Sequence, residues 1–282
     1  MHGAGNDYVY VDCTVEPVHH PEQFAVTVSN RHFGVGADGL VLICPSEVAD
    51  FRMRMFNADG SESQMCGNAS RCIGKYVYEK GLTRKEFISL ETLAGIKYLT
   101  LSVKEGIVDV ITVDMGVPEL RPTKIPVQAK GDLFVNKAVA IDGRVFKLTC
   151  VSMGNPHAVI FVDDIEQIDI PYFGKMIENH PLFPEKTNVE FVQMTKDERF
   201  KTRVWERGTG ETLACGTGAC AVLVAAILNG YTKRQATISL TGGNLDVKWD
   251  ETSNHLYLTG GATTVFEGEW LNPNCSLFTV HC

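Results

Sequence analysis

Hydrophobic and polar positions along the chain follow two periods, and each period predicts a kind of element. Phe51-Arg52-Met53-Arg54-Met55-Phe56 alternates residue by residue, as a half-buried strand does. Short apolar runs at 8–11 and 40–43 also read as strands. Between 87 and 115, segments 87–91, 96–103 and 107–115 form a predicted meander with turns at Ala94-Gly95 and Glu105-Gly106. Segments 158–162, 189–193, 201–205, 236–241, 245–250 and 255–259 read the same way, with Gly242-Gly243-Asn244 as a hairpin turn. Helical spacing marks 21–30, where Phe24, Ala25 and Val28 share a face, and also 169–178. After Cys66 the residues Ala69, Cys72, Ile73, Tyr76 and Val77 share a face, with Gly81 as the stop. The stretch 219–228 is apolar on every side. Such a helix has to be wrapped by other structure, which predicts a central helix inside a strongly curved sheet.

Composition narrows the class. The chain has 282 residues, 44% hydrophobic and 21% charged, enough for two ordinary packed domains. A formal net charge of −8 offers no basic surface, so no nucleic-acid partner is expected. The longest apolar run is too short for a bilayer span, so no membrane partner is expected either. The first residues lack a basic stretch followed by an apolar core, and the nine cysteines are odd in number and scattered. Both features predict a cytoplasmic protein with reduced thiols. Neither Cys-x-x-Cys nor His-Glu-x-x-His occurs, so no metal is expected. Gly34-Val35-Gly36-Ala37-Asp38-Gly39 has dinucleotide-loop spacing. It precedes a strand rather than a helix, so a glycine-rich turn is the better reading.

One internal similarity organises the rest. Phe56-Asn57-Ala58-Asp59-Gly60-Ser61-Glu62-Ser63-Gln64-Met65-Cys66-Gly67-Asn68 aligns without gaps on Trp205-Glu206-Arg207-Gly208-Thr209-Gly210-Glu211-Thr212-Leu213-Ala214-Cys215-Gly216-Thr217. The offset is 149 residues, and the same offset pairs Gly5-Asn6 with Gly154-Asn155. One shift relating separated motifs predicts a duplicated domain. The proline-rich stretch 116–126 divides the copies, giving domains 1–117 (completed by 262–282) and 118–261.

Each copy places a cysteine where a strand and turn lead into a helix. A helix N-terminus carries about half a positive charge, which favours thiolate, and its first N–H groups can hold an anion. Gly67 and Gly216 leave room for a carboxylate to approach that backbone. Two such helix starts suit proton removal from a carbon beside a carboxylate. One sulfur takes the proton from one face and the other returns it from the opposite face, inverting the centre with no cofactor.

The motifs Gly3-Ala4-Gly5-Asn6-Asp7, Asn57-Ala58-Asp59-Gly60-Ser61, Cys66-Gly67-Asn68-Ala69-Ser70-Arg71-Cys72, Ser152-Met153-Gly154-Asn155-Pro156-His157, Glu206-Arg207-Gly208 and Ala214-Cys215-Gly216-Thr217-Gly218-Ala219-Cys220 resemble, in order, those of the diaminopimelate epimerase family. The resemblance covers nearly the whole chain. It implies an α+β fold of two homologous, pseudo-twofold related domains, each a curved β-sheet or barrel around a central helix. It implies a pyridoxal-phosphate-independent isomerase interconverting LL- and meso-2,6-diaminopimelate for lysine and peptidoglycan-precursor synthesis, working as a homodimer. By motif, Cys66 and Cys215 would be the acid/base pair. Gly67, Asn68, Gly216 and Thr217 would bind the reacting carboxylate. Asn6, Asn57, Asn155, Asn188, Glu206 and Arg207 would hold the rest of the substrate, and His157 and Glu206 would tune the thiols.

The chain departs from the family pattern in places. Gly39 stands where some members have glutamine, and Phe266 where some have a dimer-supporting tyrosine. Residues before the first motif are few, so its strand is expected to be short, and the tail 270–282 extends past the usual end. Cys13, Cys44, Cys72, Cys150 and Cys220 read as small buried hydrophobes. Three rivals stand beside this reading: a proline- or hydroxyproline-type racemase, a thioredoxin-like redox protein and a non-catalytic amino-acid binder. Glu206-Arg207 and the asparagines favour a substrate with a polar far end, which proline lacks.

Overall fold

Two short apolar strands paired in parallel, with a helix between them, recur in each half of the fold. The computed structural model describes residues 1–195, 197, 199–271 and 278–281. The chain divides into two units, 1–113 with 259–282 and 114–258. Of the tail, 272–277 and 282 lie outside the described residues.

In the first unit, β1 (His2–Gly3) and β2 (Asn6–Asp7) make a tight hairpin. β3 (Val9–Asp12) runs parallel to β4 (Gly39–Cys44), with α1 (Pro21–Ser29) as the connection. β5 (Phe51–Asn57) is antiparallel to β4, and β6 (Glu62–Ser63) folds back on β5. α2 (Gly67–Glu79) follows, and Gly81 ends it with φ +75°. β7 (Phe87–Thr92) is parallel to β5 and opens the meander through β8 (Gly95–Lys104) and β9 (Ile107–Gly116). α2 lies so close to this meander that a Cβ on Gly74 would meet Leu101 Cδ2 at 3.0 Å.

The second unit opens with a hairpin that the apolar pattern does not announce, β10 (Lys137–Ile141) and β11 (Arg144–Ser152). Its two-residue turn, Asp142-Gly143, has positive φ at both positions, 46° and 76°. β12 (Pro156–Phe161) and β13 (Asn188–Met194) are parallel, with α3 (Ile170–Glu178) between them. Asp169 caps α3 by accepting the Tyr172 N–H at 3.0 Å. β14 (Phe200–Glu206), β15 (Gly210–Thr212) and α4 (Gly216–Leu228) come next. β16 (Gln235–Leu240), β17 (Gly243–Trp249) and β18 (Leu256–Gly260) complete the unit's sheet. The chain then rejoins the first unit, where β19 (Glu267–Trp270) pairs with β20 (Phe278–His281) and β20 with β3.

α4 is surrounded, as its unbroken apolar sequence requires. It packs against β11, β12, β13, β16 and β17, and residues 219–226 are fully buried. Each such leucine or valine contributes about 1.5–3 kcal/mol. α2 is amphipathic instead, with a Lys75–Glu79 ion pair of 2.6 Å on its outer side. The offset of 149 residues persists through the secondary structure. Val9 pairs with Leu40 as Ala158 pairs with Val189, and α1 and α2 recur as α3 and α4. A fork of two hydrogen bonds joins Arg54 to Glu62 (2.8 and 3.1 Å) and Arg203 to Glu211 (2.7 and 3.0 Å).

Candidate active site

In the first unit, β5 and the turn after Asn57 lead into Cys66, which is the N-cap of α2 in extended conformation (φ −137°, ψ 123°). The half-buried Cys66 Sγ donates to Asn6 Oδ1 at 3.5 Å, and Asn68 Nδ2 donates to the same oxygen at 3.4 Å. The orientation of the Asn6 amide is fixed from behind. Its Nδ2 donates to Asp38 Oδ2 at 3.0 Å, which also accepts the Asp7 N–H at 3.3 Å. Arg31 Nη2 holds the other Asp38 oxygen at 3.2 Å. Burial and the adjacent Asp7 push the Asp38 carboxyl above its ordinary range.

The first turn of α2 is anchored by the fully buried Arg71. Its guanidinium donates to Asn68 Oδ1 (2.9 Å), Gly67 O (3.4 Å) and Gly261 O (3.1 Å). Asn57 Nδ2 donates to Ser61 Oγ at 3.0 Å. At position 39 a Cβ would lie 2.1 Å from Phe56 O, so backbone crowding requires glycine there.

In the second unit Cys215 is the N-cap of α4 (φ −126°, ψ 116°), 7% exposed. Its Sγ accepts the Gly218 N–H at 3.4 Å and lies 3.3 Å from Thr217 Oγ1. A Cβ on Gly218 would fall 2.7 Å from Glu190 Oε1 and 3.4 Å from that sulfur. His157 is fully buried between acceptors, with Nδ1 2.7 Å from Glu190 Oε1 and Nε2 3.0 Å from Asn155 Oδ1. That arrangement accommodates a proton on each ring nitrogen. Asn155 Nδ2 donates to Thr217 Oγ1 at 3.3 Å. Glu206 Oε1 accepts the Thr212 hydroxyl at 2.5 Å, and burial pushes this carboxyl above its ordinary range.

The substrate-end residues have protein partners of their own. Asn188 Nδ2 donates to Pro156 O at 2.8 Å, and its Oδ1 accepts the Arg207 N–H at 2.9 Å. The exposed Arg207 Nη1 donates to Glu185 O at 3.0 Å. Asn188 thus anchors the backbone that presents Arg207.

Asn6, Gly67 and Asn68 therefore gather around Cys66, and Asn57 sits at the end of β5, tied to its own turn. Asn155, His157, Gly216, Thr217 and Glu206 gather around Cys215, while Asn188 and Arg207 form an adjoining pair. Three groups are absent from the sequence reading. Glu190 is a fully buried carboxylate whose Oε2 has no hydrogen-bond partner, and Asp38 and Thr212 orient their neighbours. For Glu190 the signal was a lone charge inside the apolar strand Val189-Glu190-Phe191-Val192. One expectation needs correction. The helix N-terminus alone predicts a Cys215 thiol shifted toward thiolate, but burial, Glu206 and Glu190 push it well above its ordinary value.

Comparisons place this geometry in a family. The family model described as diaminopimelate epimerase matches residues 1–121 and 149–265. A diaminopimelate epimerase of Acetivibrio thermocellus is 57% identical over 95% of this chain and 96% of its own length. One of Methanococcus maripaludis is 54% identical over 95% and 97%. Among solved structures, a hydroxyproline epimerase of Agrobacterium vitis superposes with TM-score 0.67 at 16% identity, covering 92% of this chain and 86% of that one. A PhzF-family phenazine biosynthesis protein of Bacillus anthracis gives TM-score 0.69 at 20% identity, covering 96% and 95%. At these identities the structures report a shared fold. The sequence matches span both duplicated halves with their cysteines, and the chain belongs to the diaminopimelate epimerase family.

Proposed function

We propose that the protein interconverts LL- and meso-2,6-diaminopimelate by cofactor-independent, two-base proton transfer at the α-carbon. One observation carries the reading. Two cysteines, 149 residues apart, each stand at the N-cap of a helix whose first turn can receive a carboxylate. Curated relatives carrying this name match along nearly the full chain.

Cys66 and Cys215 are the acid/base pair and act on opposite faces of one stereocentre. Backbone N–H groups at Gly67-Asn68 and Gly216-Thr217 bind the reacting carboxylate and stabilise the charge that develops on it. Arg207 pairs with the distal carboxylate, Glu206 assists the distal ammonium, and Asn6, Asn57 and Asn155 fix orientation. Asn188 contributes by holding Arg207. Burial, Glu206 and Glu190 draw Cys215 toward thiol, and His157 sits against Glu190 at 2.7 Å. Cys215 therefore rests as thiol and donates first to substrate approaching from its side. The seven described cysteines form no disulfide among the described residues, which supports a cytoplasmic enzyme. The exposed Phe266 supports a homodimer.

The test is exchange of the α-hydrogen of LL-diaminopimelate in heavy water under reducing conditions, with neither pyridoxal phosphate nor metal added and proline run in parallel. Deuterated LL- and meso-diaminopimelate are expected, with proline unchanged. Absence of exchange, or faster exchange of proline, overturns the assignment.

A further inference from the structure

Two cysteines outside this chemistry are brought together by strand register. β3 and β4 pair Val9 with Leu40, Val11 with Leu42 and Asp12 with Ile43. One step further lie Cys13 and Cys44, and the Cys13 N–H continues the ladder by donating to Ile43 O at 2.8 Å. Side chains alternate along a strand, so Val9, Val11 and Cys13 share a face with Leu40, Leu42 and Cys44. All six pack into or against one apolar cluster. The two thiols are therefore neighbours across the strand pair. Adjacent strands lie about 4.8 Å apart. That spacing is within the roughly 4.4–6.8 Å between Cα atoms that a disulfide spans.

The surroundings divide the labour between them. Cys13 is 5% exposed, whereas Cys44, at the last position of β4, is partly open to solvent. Cys44 stands opposite Arg52 of β5, with Arg54 two residues along. The adjacent Cys13 thiol, followed by Arg54 and Arg52, holds the Cys44 thiol below its ordinary value against the effect of burial. The Cys44 thiol in turn, with burial, pushes Cys13 upward. Cys72 and Cys150 are fully buried and shifted up by burial, so they serve as internal references.

We propose that Cys13 and Cys44 form a redox-modification site, a dithiol that a hydroperoxide converts to an intrachain disulfide. The Cys44 thiolate attacks the terminal peroxide oxygen. The S–O bond forms, the O–O bond breaks, and the leaving oxygen departs as water or alcohol after taking a proton. The Cys13 sulfur then attacks the Cys44 sulfenic sulfur. An S–S bond forms, and the hydroxyl leaves with the Cys13 proton as water. With hydrogen peroxide, two thiols and one peroxide give one disulfide and two waters. The site uses none of the groups assigned to epimerisation.

The experiment uses the full chain, as wild type and with Cys66→Ala and Cys215→Ala combined to remove competing thiols. Native protein is first alkylated with iodoacetamide near neutral pH, and Cys44 is expected to react at least about tenfold faster than Cys72 or Cys150. In a separate, unalkylated sample, stoichiometric hydrogen peroxide should give a Cys13–Cys44 cross-linked peptide lighter by two hydrogens, reversed by a thiol reductant. In Cys13→Ser or Cys13→Ala, checked for folding by circular dichroism, a dimedone adduct should accumulate on Cys44. The proposal fails if Cys44 in the wild type alkylates no faster than the buried references. It also fails if peroxide leaves both residues alkylatable.

Discussion

The two half-sites share a backbone and differ in charge. At the common offset, Asn6 corresponds to Asn155, Cys66 to Cys215, and the Arg54–Glu62 fork to Arg203–Glu211. Four of the differences concern groups around the second thiol. Tyr8, Val41, Asn57 and Asn68 in the first unit stand where the second has His157, Glu190, Glu206 and Thr217. Around Cys66 the controlling group is an amide, oriented by Asp38 through Asn6. Around Cys215 it is a buried set of one imidazole and two carboxylates. Duplication has thus kept the strand–turn–helix scaffold that carries each thiol, while electrostatic control diverged. One sulfur is held by a directed hydrogen bond, and the other is set by burial and two nearby carboxylates.

The largest effect should come from the shared feature. Cys66→Ala and Cys215→Ala should each lower epimerisation by at least about a thousandfold, because each removes a proton-transfer partner. Full activity in either single variant, measured by conversion of LL to meso substrate, would break the equivalence of the two halves.

The charged half-site gives the next largest effect, with a definite sign. Glu206 raises Cys215, so Glu206→Gln should let its thiolate form at lower pH. The ultraviolet thiolate titration of Cys215 in a Cys66→Ala background should move downward, and turnover should fall roughly tenfold. Glu190→Gln should move the titration in the same direction by less. A titration that stays in place, or moves up, would show that charge does not govern Cys215. The first-unit half-site gives the smallest effect. Asp38→Ala removes the acceptor that fixes the Asn6 amide and should cost about fivefold in kcat/KM, the size of one hydrogen bond at ~1 kcal/mol. An unchanged kcat/KM, with an unchanged pH profile, would separate Asp38 from the site.

Periodicity and the 149-residue offset made most of this architecture readable. The alternation of 51–56, the amphipathic stretch after Cys66 and the apolar stretch 219–228 each correspond to a strand or helix in the structure. β10 and β11 were not read, because their apolar positions are interrupted by lysine and arginine. Their one clear signal was Asp142-Gly143, a favoured two-residue hairpin turn. The thiols and their flanking motif residues stood out through duplication. Asp38 and Glu190 did not, since each acts through a neighbour across strands that only the fold brings together. Register hides such partners from a linear reading, and burial, which sets Cys215, has no local signature.

The enclosure of α4 has a consequence for how the activity arises. Residues 219–226 offer water no polar face, so the helix is stable only within its finished sheet. The environment of Cys215, at the N-cap of α4, therefore depends on the completed sheet. A partly folded second unit would display no weakened version of this thiol, and turnover should vanish in step with global unfolding rather than ahead of it.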